Sequence, residues 1–268
     1  MIKLLAIEWL KIKRYPTFWI LAALFALLLP LWVYGVASGF ISPGGGGKNG
    51  PKINFFATGY TFPQVWASIG YWASVFIMFV SMIVIILTTN EYGYRTNRQN
   101  VLDGWTKMQF FHSKVLLVVV LSLLTTLYVF ALGTVFGRIY TGSFSGMFHE
   151  LRLLGYFFLL SLDYLGFGLF LAILIRKSGL AIGLFLLYSM FLETILKSIV
   201  NHYTDKPYAN LLMLQSSDEL LPFPLPQMAK AMIGIRPTLS VNTYLIATIG
   251  WCVVYYVACR LLLLRKDW

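Results

Sequence analysis

Six long apolar stretches, separated by shorter polar segments, dominate the pattern of hydrophobic and polar positions along this chain. Each stretch is rich in Leu, Val, Ile and aromatic residues and has about the 20 residues that an α-helix needs to cross a bilayer. The stretches are residues 17–38, 66–89, 114–137, 153–175, 179–200 and 241–264. The pattern therefore predicts an all-α polytopic membrane protein, with six transmembrane helices in one transmembrane domain over residues 1–268.

The segment before the first stretch has an amphipathic pattern instead. Four apolar residues fall on one stripe of a helix, and charged side chains fall on its other faces. The stripe consists of Ile2, Leu5, Trp9 and Ile12. This spacing predicts an interfacial helix over residues 1–15 that lies on the membrane surface against lipid. Pro16 favours a break before the first transmembrane helix; the alternative is a simple extension of that helix.

Composition and charge agree with a membrane protein. Only 12% of the residues are charged and 59% are hydrophobic, whereas soluble domains have roughly 25% charged residues. The 21 Lys and Arg residues do not indicate nucleic-acid binding, because they flank the apolar stretches and do not form one basic face. They are densest at both ends of the chain and in residues 90–114 and 176–178, so we predict that both termini are cytoplasmic.

The remaining segments contain no nucleotide or metal motif. The glycine run that ends at Gly47-Lys48 is not a phosphate-binding loop, because Asn49 stands where Ser or Thr is required. The three histidines lack the spacing of metal ligands, so we predict no metal site. Residues 201–240 form a long outer loop whose prolines prevent one regular helix. Its apolar content predicts short helices folded against the outer membrane face, or a partly re-entrant element.

Residues 90–113, between the second and third stretches, are the most informative connecting segment. They combine basic residues with apolar and aromatic residues such as Leu102, Trp105 and Phe110. An inner loop of this kind is typical of a docking surface for a cytoplasmic partner. A membrane-surface helix with snorkelling Arg and Lys side chains has the same composition, so composition alone leaves both interpretations open.

Residues 91–114 also contain an ordered series of residue types. It begins with Glu91 and continues with Arg95-Thr96, Arg98, Val101-Leu102, Asp103-Gly104-Trp105, Thr106-Lys107 and Phe110 to Lys114. The series resembles the loop after the second span in the permease subunits of type-2 ABC transporters, most of which are exporters. Those permeases also have an N-terminal amphipathic helix, six spans and both ends in the cytoplasm.

The resemblance implies a mechanism and partners. A permease of this family pairs with a second permease, identical or different, and with separate ATP-binding cassette ATPase subunits that bind ATP and Mg. ATP-driven closure of those subunits pushes on the loop, the coupling helix, and switches access to the pathway between the spans. This chain itself is then expected to bind no cofactor and to lie in a bacterial cytoplasmic membrane.

The resemblance also implies which residues receive the movement of the ATPase. They are Glu91, Arg95, Arg98, Leu102, Asp103, Trp105, Lys107 and Phe110. In this interpretation the apolar side chains are anchors and the charged ones form the rim of the contact. We expect Trp105→Ala or Asp103→Lys to uncouple ATP hydrolysis from transport while membrane insertion is retained.

Two acidic residues lie inside predicted spans, Asp163 in the fourth and Glu193 in the fifth. Such acids usually face the bundle interior or a cavity, which favours a place in the substrate pathway or a proton site. Alternatively each is paired internally, with Lys197 as a candidate partner one turn beyond Glu193. Two other functions therefore stay open: an ion-coupled secondary transporter that uses both acids, and a membrane scaffold that anchors a cytoplasmic enzyme through residues 91–114.

Overall fold

A computed structural model describes residues 2–40, 57–94, 106–203, 207–221 and 239–265. The helices in these ranges are α1 (Ile2–Lys13), α2 (Pro16–Ala37), α3 (Val65–Gly93), α4 (Lys107–Thr141), α5 (Arg152–Ile175), α6 (Ser178–Leu187), α7 (Glu193–Tyr203), α8 (Gln215–Asp218) and α9 (Val241–Arg265). A π-helical turn, Tyr188–Leu192, joins α6 to α7. Short 3-10 turns, Ala57–Tyr60 and Tyr208–Leu211, precede α3 and α8.

Six helical segments of the described residues are long and apolar enough to cross a membrane. They are α2, α3, α4, α5, α9 and the continuous segment from Ser178 to Val200. The predicted all-α fold with six spans is therefore confirmed. The break predicted at Pro16 is also present, because α1 ends at Lys13 and Pro16 is the first residue of α2, a position where no backbone N–H is needed.

The start of α4 differs from the sequence-based prediction. The helix begins at Lys107, seven residues before the predicted position 114, and has 35 residues. Thr106 is its N-cap: the Thr106 hydroxyl accepts a hydrogen bond from the Gln109 N–H (3.2 Å), and the Thr106 N–H donates to the Gln109 side chain (2.9 Å). This capping box satisfies backbone donors that have no partner inside the helix. The last part of the predicted loop is therefore the first two turns of α4.

Helices α3 and α5 form the centre of the bundle. α5 packs against α3, α4, α6 and α9, and α3 also packs against α2 and α4. Gly168 allows the close approach of α5 to α3, since a methyl group there would lie 3.3 Å from the carbonyl oxygen of Ser81. The outer faces of α4, α6 and α9 keep exposed Leu, Ile and Val side chains, as expected of helices that face lipid.

Residues 207–221 fold back into the bundle between α5, α7 and α9. The Trp251 indole of α9 donates a hydrogen bond to the carbonyl of Leu211 (3.0 Å), and the Tyr164 hydroxyl of α5 donates to Asp218 (2.9 Å). Tyr164 lies at the middle of α5, which runs from Arg152 to Ile175. The segment therefore reaches about half the depth of the bundle and corresponds to the re-entrant alternative.

Candidate functional site

Four charged residues meet at the end of the bundle where α1 lies. Lys114 is completely buried, with its Nζ 2.8 Å from both carboxylate oxygens of Glu8 and in contact with Glu91 Oε1. Lys11 Nζ lies 3.1 Å from the same Glu91 oxygen and 3.9 Å from Glu8. We call Glu8, Lys11, Glu91 and Lys114 the α1 cluster. Its two carboxylates and two amines balance in charge.

The α1 cluster ties together both ends of the segment between α3 and α4. Glu91 lies near the end of α3 and pairs with Lys114 in the second turn of α4. From α1, Glu8 pairs with Lys114 and Lys11 pairs with Glu91, so α1 contacts both helix ends. Burial alone would raise the pKa of Glu8, but the charges of Lys114 and Lys11, with hydrogen bonds from Lys114 and Ser113, outweigh it and lower that pKa. The ionised network is thus the form that the fold stabilises.

Aromatic contacts extend the α1 cluster to α5. Tyr92 packs edge-to-face on Phe110 with ring centroids 6.1 Å apart, and the Arg176 guanidinium lies 4.8 Å from the Tyr92 ring centroid. Arg176 follows the last residue of α5 and has a left-handed backbone conformation, with φ of 60°. The Asn90 amide also donates a hydrogen bond to the Tyr15 hydroxyl (2.8 Å). The ends of α3, α4 and α5 are therefore held together.

The structure places only part of the predicted coupling residues. Glu91 and Phe110 are buried, with Phe110 only 1% exposed, so both act inside the protein and do not offer a contact surface. Lys107 is the first residue of α4 and is partly exposed. The other five, Arg95, Arg98, Leu102, Asp103 and Trp105, lie outside the described residues.

The predicted apolar stripe of α1 does not face one environment. Ile12 is buried in the protein core, whereas Trp9 is 51% exposed and packs edge-to-face on Trp19. The side chains of Ile2 and Leu5 lie outside the described part of the chain. Glu8, which the helical pattern placed on a polar face, is turned inward because Lys114 and Ser113 bind it there.

A second group of acids surrounds the re-entrant segment. The Glu193 carboxylate accepts hydrogen bonds from the backbone N–H groups of Leu214 (2.7 Å) and Gln215 (2.9 Å), and so caps α8. Lys197 does not bond to Glu193 but forms an ion pair with Glu219 (2.8 Å). Residue spacing within one helix suggested the wrong partner, because the re-entrant segment brings Glu219 closer.

Asp163 is the least satisfied of these acids. Its side chain is completely buried, and neither carboxylate oxygen has a hydrogen-bonding partner among the described residues. Its polar neighbours are Ser217, Asp218 and Glu193. We call Asp163, Glu193, Asp218, Glu219 and Lys197 the acid cluster. It has four carboxyl groups and one amine.

Asp218 is the acid of this cluster that lies on the short helix α8. Its pKa is raised to about 7, chiefly by burial and also by the charges of Glu193 and Glu219. The hydrogen bond from Tyr164 and the charge of Lys197 act in the opposite direction. The acid cluster therefore contains a carboxyl group that titrates near neutral pH. In the part of the chain that the structure describes, no group of three or more His, Cys, Asp or Glu side chains is arranged to hold a metal ion.

Comparison with known families found a match over most of the chain. A family model described as ABC-2 family transporter protein matches residues 4–192, which is 189 of the 268 residues. The matched range contains the α1 cluster and Asp163, and it ends before Glu193 and the re-entrant segment. No curated protein matches the chain.

Proposed function

The chain belongs to the ABC-2 family of transporter proteins, and from this premise we propose that it is the permease subunit of an ATP-driven exporter. In this proposal a separate ATPase chain binds ATP and Mg, a second permease completes the transporter, and residues 91–114 receive the movement of the ATPase. The observation that carries the proposal is the burial of Lys114 between Glu8 and Glu91.

This arrangement suits a rigid connection. Breaking a buried ion pair by loss of one partner costs about 3–5 kcal/mol, so the ends of α3 and α4 resist separation. A push on residues 94–106 would then move these helix ends together, since neither end can bend away independently.

The bundle offers a continuous route from the α1 cluster to the re-entrant segment. α3 packs along α5, and α5 binds the re-entrant segment through the Tyr164–Asp218 hydrogen bonds (2.9 and 3.1 Å). Movement of α3 and α5 at one end can therefore alter the position of residues 207–221 at the other. In the proposal this is how ATP hydrolysis changes access to the transport pathway.

The first test is whether an ATPase binds this chain. The tagged full-length protein is purified from its native membrane in mild detergent, and co-eluting proteins and vanadate-sensitive ATP hydrolysis are measured. We expect a stoichiometric ATPase, and its loss in Trp105→Ala. Phe148→Ala is the control, because Phe148 is an exposed aromatic residue between α4 and α5, at the opposite end of these helices from the coupling segment. Repeated purification without any ATPase would contradict the proposal.

The second test separates binding from coupling. Glu8→Gln removes the charge that pairs α1 with Lys114 of α4 but leaves the Glu91–Lys114 and Lys11–Glu91 pairs in place. We therefore expect the ATPase to bind and hydrolyse ATP. Hydrogen exchange in residues 207–221 should change on addition of ATP and vanadate in the unaltered complex, and this response should be lost in Glu8→Gln. Glu150→Gln, which breaks an exposed pair with Arg152, should keep it. A response to a proton gradient and not to ATP would favour the ion-coupled alternative.

A further inference from the structure

A groove opens between α4, α5 and α9 on the outside of the bundle. It encloses a cavity of about 140 Å³ whose lining is almost entirely carbon and sulfur. Representative lining residues are Phe111 and Val119 of α4, Leu162 and Gly166 of α5, and Cys252 and Cys259 of α9. Val119 at its edge is 38% exposed, so the groove is open on its lateral face, where lipid surrounds the helices.

The groove covers the depth of one membrane leaflet. Its lining on α4 extends from Phe111 to Val119, which is about 12 Å along a helix that rises 1.5 Å per residue. On α5 it begins at Leu162, near the middle of that helix, and extends toward the end at Ile175. Half of a hydrocarbon core is about 15 Å thick. The groove therefore lies in the leaflet on the side of α1.

Its volume and lining suit a hydrocarbon chain. A dry cavity of about 150 Å³ lined by apolar side chains binds benzene, so this groove has room for a segment of about six carbon atoms. Gly166 creates part of that room, because a methyl group there would already lie 3.5 Å from the Tyr255 ring. A polar solute would lose its hydrogen bonds in such a lining.

The end of the groove near α1 is polar and basic. The Tyr256 hydroxyl, at the edge of the groove, lies 3.5 Å from His112 Nε2. Arg260 is exposed and follows Tyr256 by one helical turn, on the same face of α9. An arginine guanidinium is a strong, bidentate partner for phosphate. The apolar groove thus ends where an anionic headgroup would find a matching charge.

We propose that this groove binds a phospholipid of the leaflet on the α1 side, with one acyl chain between α4, α5 and α9 and the phosphate at Arg260 and His112. The charge at one end and the one-leaflet depth distinguish this occupant from a second copy of the chain, which needs no phosphate site. The inference requires only that the chain spans a bilayer, and it does not depend on the proposed ATP-driven function.

Photolabelling of the purified full-length protein in nanodiscs tests the proposal. The probe is phosphatidylglycerol with a diazirine in one acyl chain, and mass spectrometry maps the labelled peptides. We expect saturable labelling of the α4, α5 and α9 peptides that line the groove. Gly166→Leu and Val119→Trp should each reduce it about tenfold by filling the space. Gly155→Leu is the matched control, since nothing lies within 4 Å of a methyl group at that position of α5.

The phosphate contact is tested separately. Arg260→Gln should remove the preference for labelled phosphatidylglycerol over labelled diacylglycerol, whereas Arg265→Gln, on another face of α9, should leave it unchanged. Even labelling of all lipid-facing helices, or labelling that survives both groove-filling variants, would overturn the proposal. Cross-linking between the α9 helices of two copies, which would show that a dimer covers the groove, would also overturn it. Displacement of the lipid by a transported amphiphile would do the same.

Discussion

The α1 cluster and the acid cluster both bury carboxyl groups, but they balance charge differently. Two carboxylates face two amines in the α1 cluster, whereas four carboxyl groups face the amine of Lys197 in the acid cluster as far as the described residues show. A balanced buried network resists change, because any broken pair leaves an uncompensated charge. In an unbalanced cluster, the buried carboxyl groups that lack a positive partner are stabilised by hydrogen bonds or by taking up a proton. The first is suited to a fixed joint and the second to an element that changes state.

The backbone around each cluster fits this difference. The α1 cluster joins the ends of three helices, and its members come from α1, α3 and α4. The acid cluster holds a short segment of irregular backbone around the four-residue helix α8. The backbone hydrogen bonds of that segment join residues within it, so side chains such as Glu193 and Tyr164 fix it to the bundle.

Removal of the central amine of the α1 cluster should have the largest effect. Lys114→Met leaves Glu8 and Glu91 buried without their main partner, which is expected to destabilise the protein by about 3–5 kcal/mol. Thermal unfolding in detergent measures the loss. Lys13→Met, on the exposed face of α1, is the control and should unfold like the unaltered protein.

A triple variant sharpens this result. Replacement of Glu8 and Glu91 by Gln together with Lys114→Met removes all three charges, and much of the lost stability should return because no buried charge is left alone. Equal unfolding temperatures for Lys114→Met and the unaltered protein would show that the α1 cluster is not a structural joint.

In the acid cluster an acceptor atom should matter more than a charge. Glu193→Ala leaves the N–H groups of Leu214 and Gln215 unpaired. The expected cost is about 1–3 kcal/mol for the buried Leu214 donor and less for the partly buried Gln215 donor. Glu193→Gln keeps a carbonyl oxygen that can accept the same bonds, so its effect should be small. Hydrogen exchange of residues 207–221 measures both. If Glu193→Gln increased exchange as much as Glu193→Ala, the negative charge of Glu193 would be required. The acid cluster would then depend on charge as the α1 cluster does.

The spans were predictable from sequence because bilayer thickness sets the length of each apolar stretch. The start of α4 was placed too late, since the polar residues between Lys107 and Lys114 hide a helix from an apolar-stretch search. The pattern of Thr106 followed three residues later by Gln109 is a capping-box signature, and it was the signal that could have located the helix start.

The ion pairs were much less predictable. Lys197 and Glu193 have the spacing of a helical pair, yet Lys197 binds Glu219, 22 residues away. Glu8 and Lys114 are 106 residues apart, and local spacing carries no information about such contacts. The apolar residues between positions 201 and 240 did indicate burial, and the prolines indicated broken helices. The depth of the re-entrant segment, however, depends on tertiary contacts with Tyr164 and Trp251.

The titration of Asp218 should make the re-entrant segment sensitive to pH. Its pKa is raised from 3.8 to about 7, so the stability that its protonated form contributes is present at low pH and is lost as the pH rises through about 7. Hydrogen exchange of residues 207–221, corrected for intrinsic rates, should quicken as the pH rises from about 4 to about 7 and should level off above that range. Asp218→Asn should weaken this dependence, and Asp218→Asn together with Glu193→Gln should remove most of it, because both carboxyl groups contact the segment. Unchanged protection across that range in the unaltered protein would contradict the prediction.

The smallest effect is expected for the α1 cluster in acid. The pKa of Glu8 is lowered below its ordinary value of 4.5, so its contribution to stability is present above that value and is lost only as the pH falls below it. Exchange of the backbone amides of Trp9 to Lys13 should therefore be constant between about pH 5 and pH 8 and should quicken below about pH 4. Glu8→Gln should remove the acid step. Protection from exchange should thus fall with rising pH in residues 207–221 and with falling pH in α1. If α1 also lost protection near pH 7, the difference in charge balance between the two clusters would not explain their response to pH.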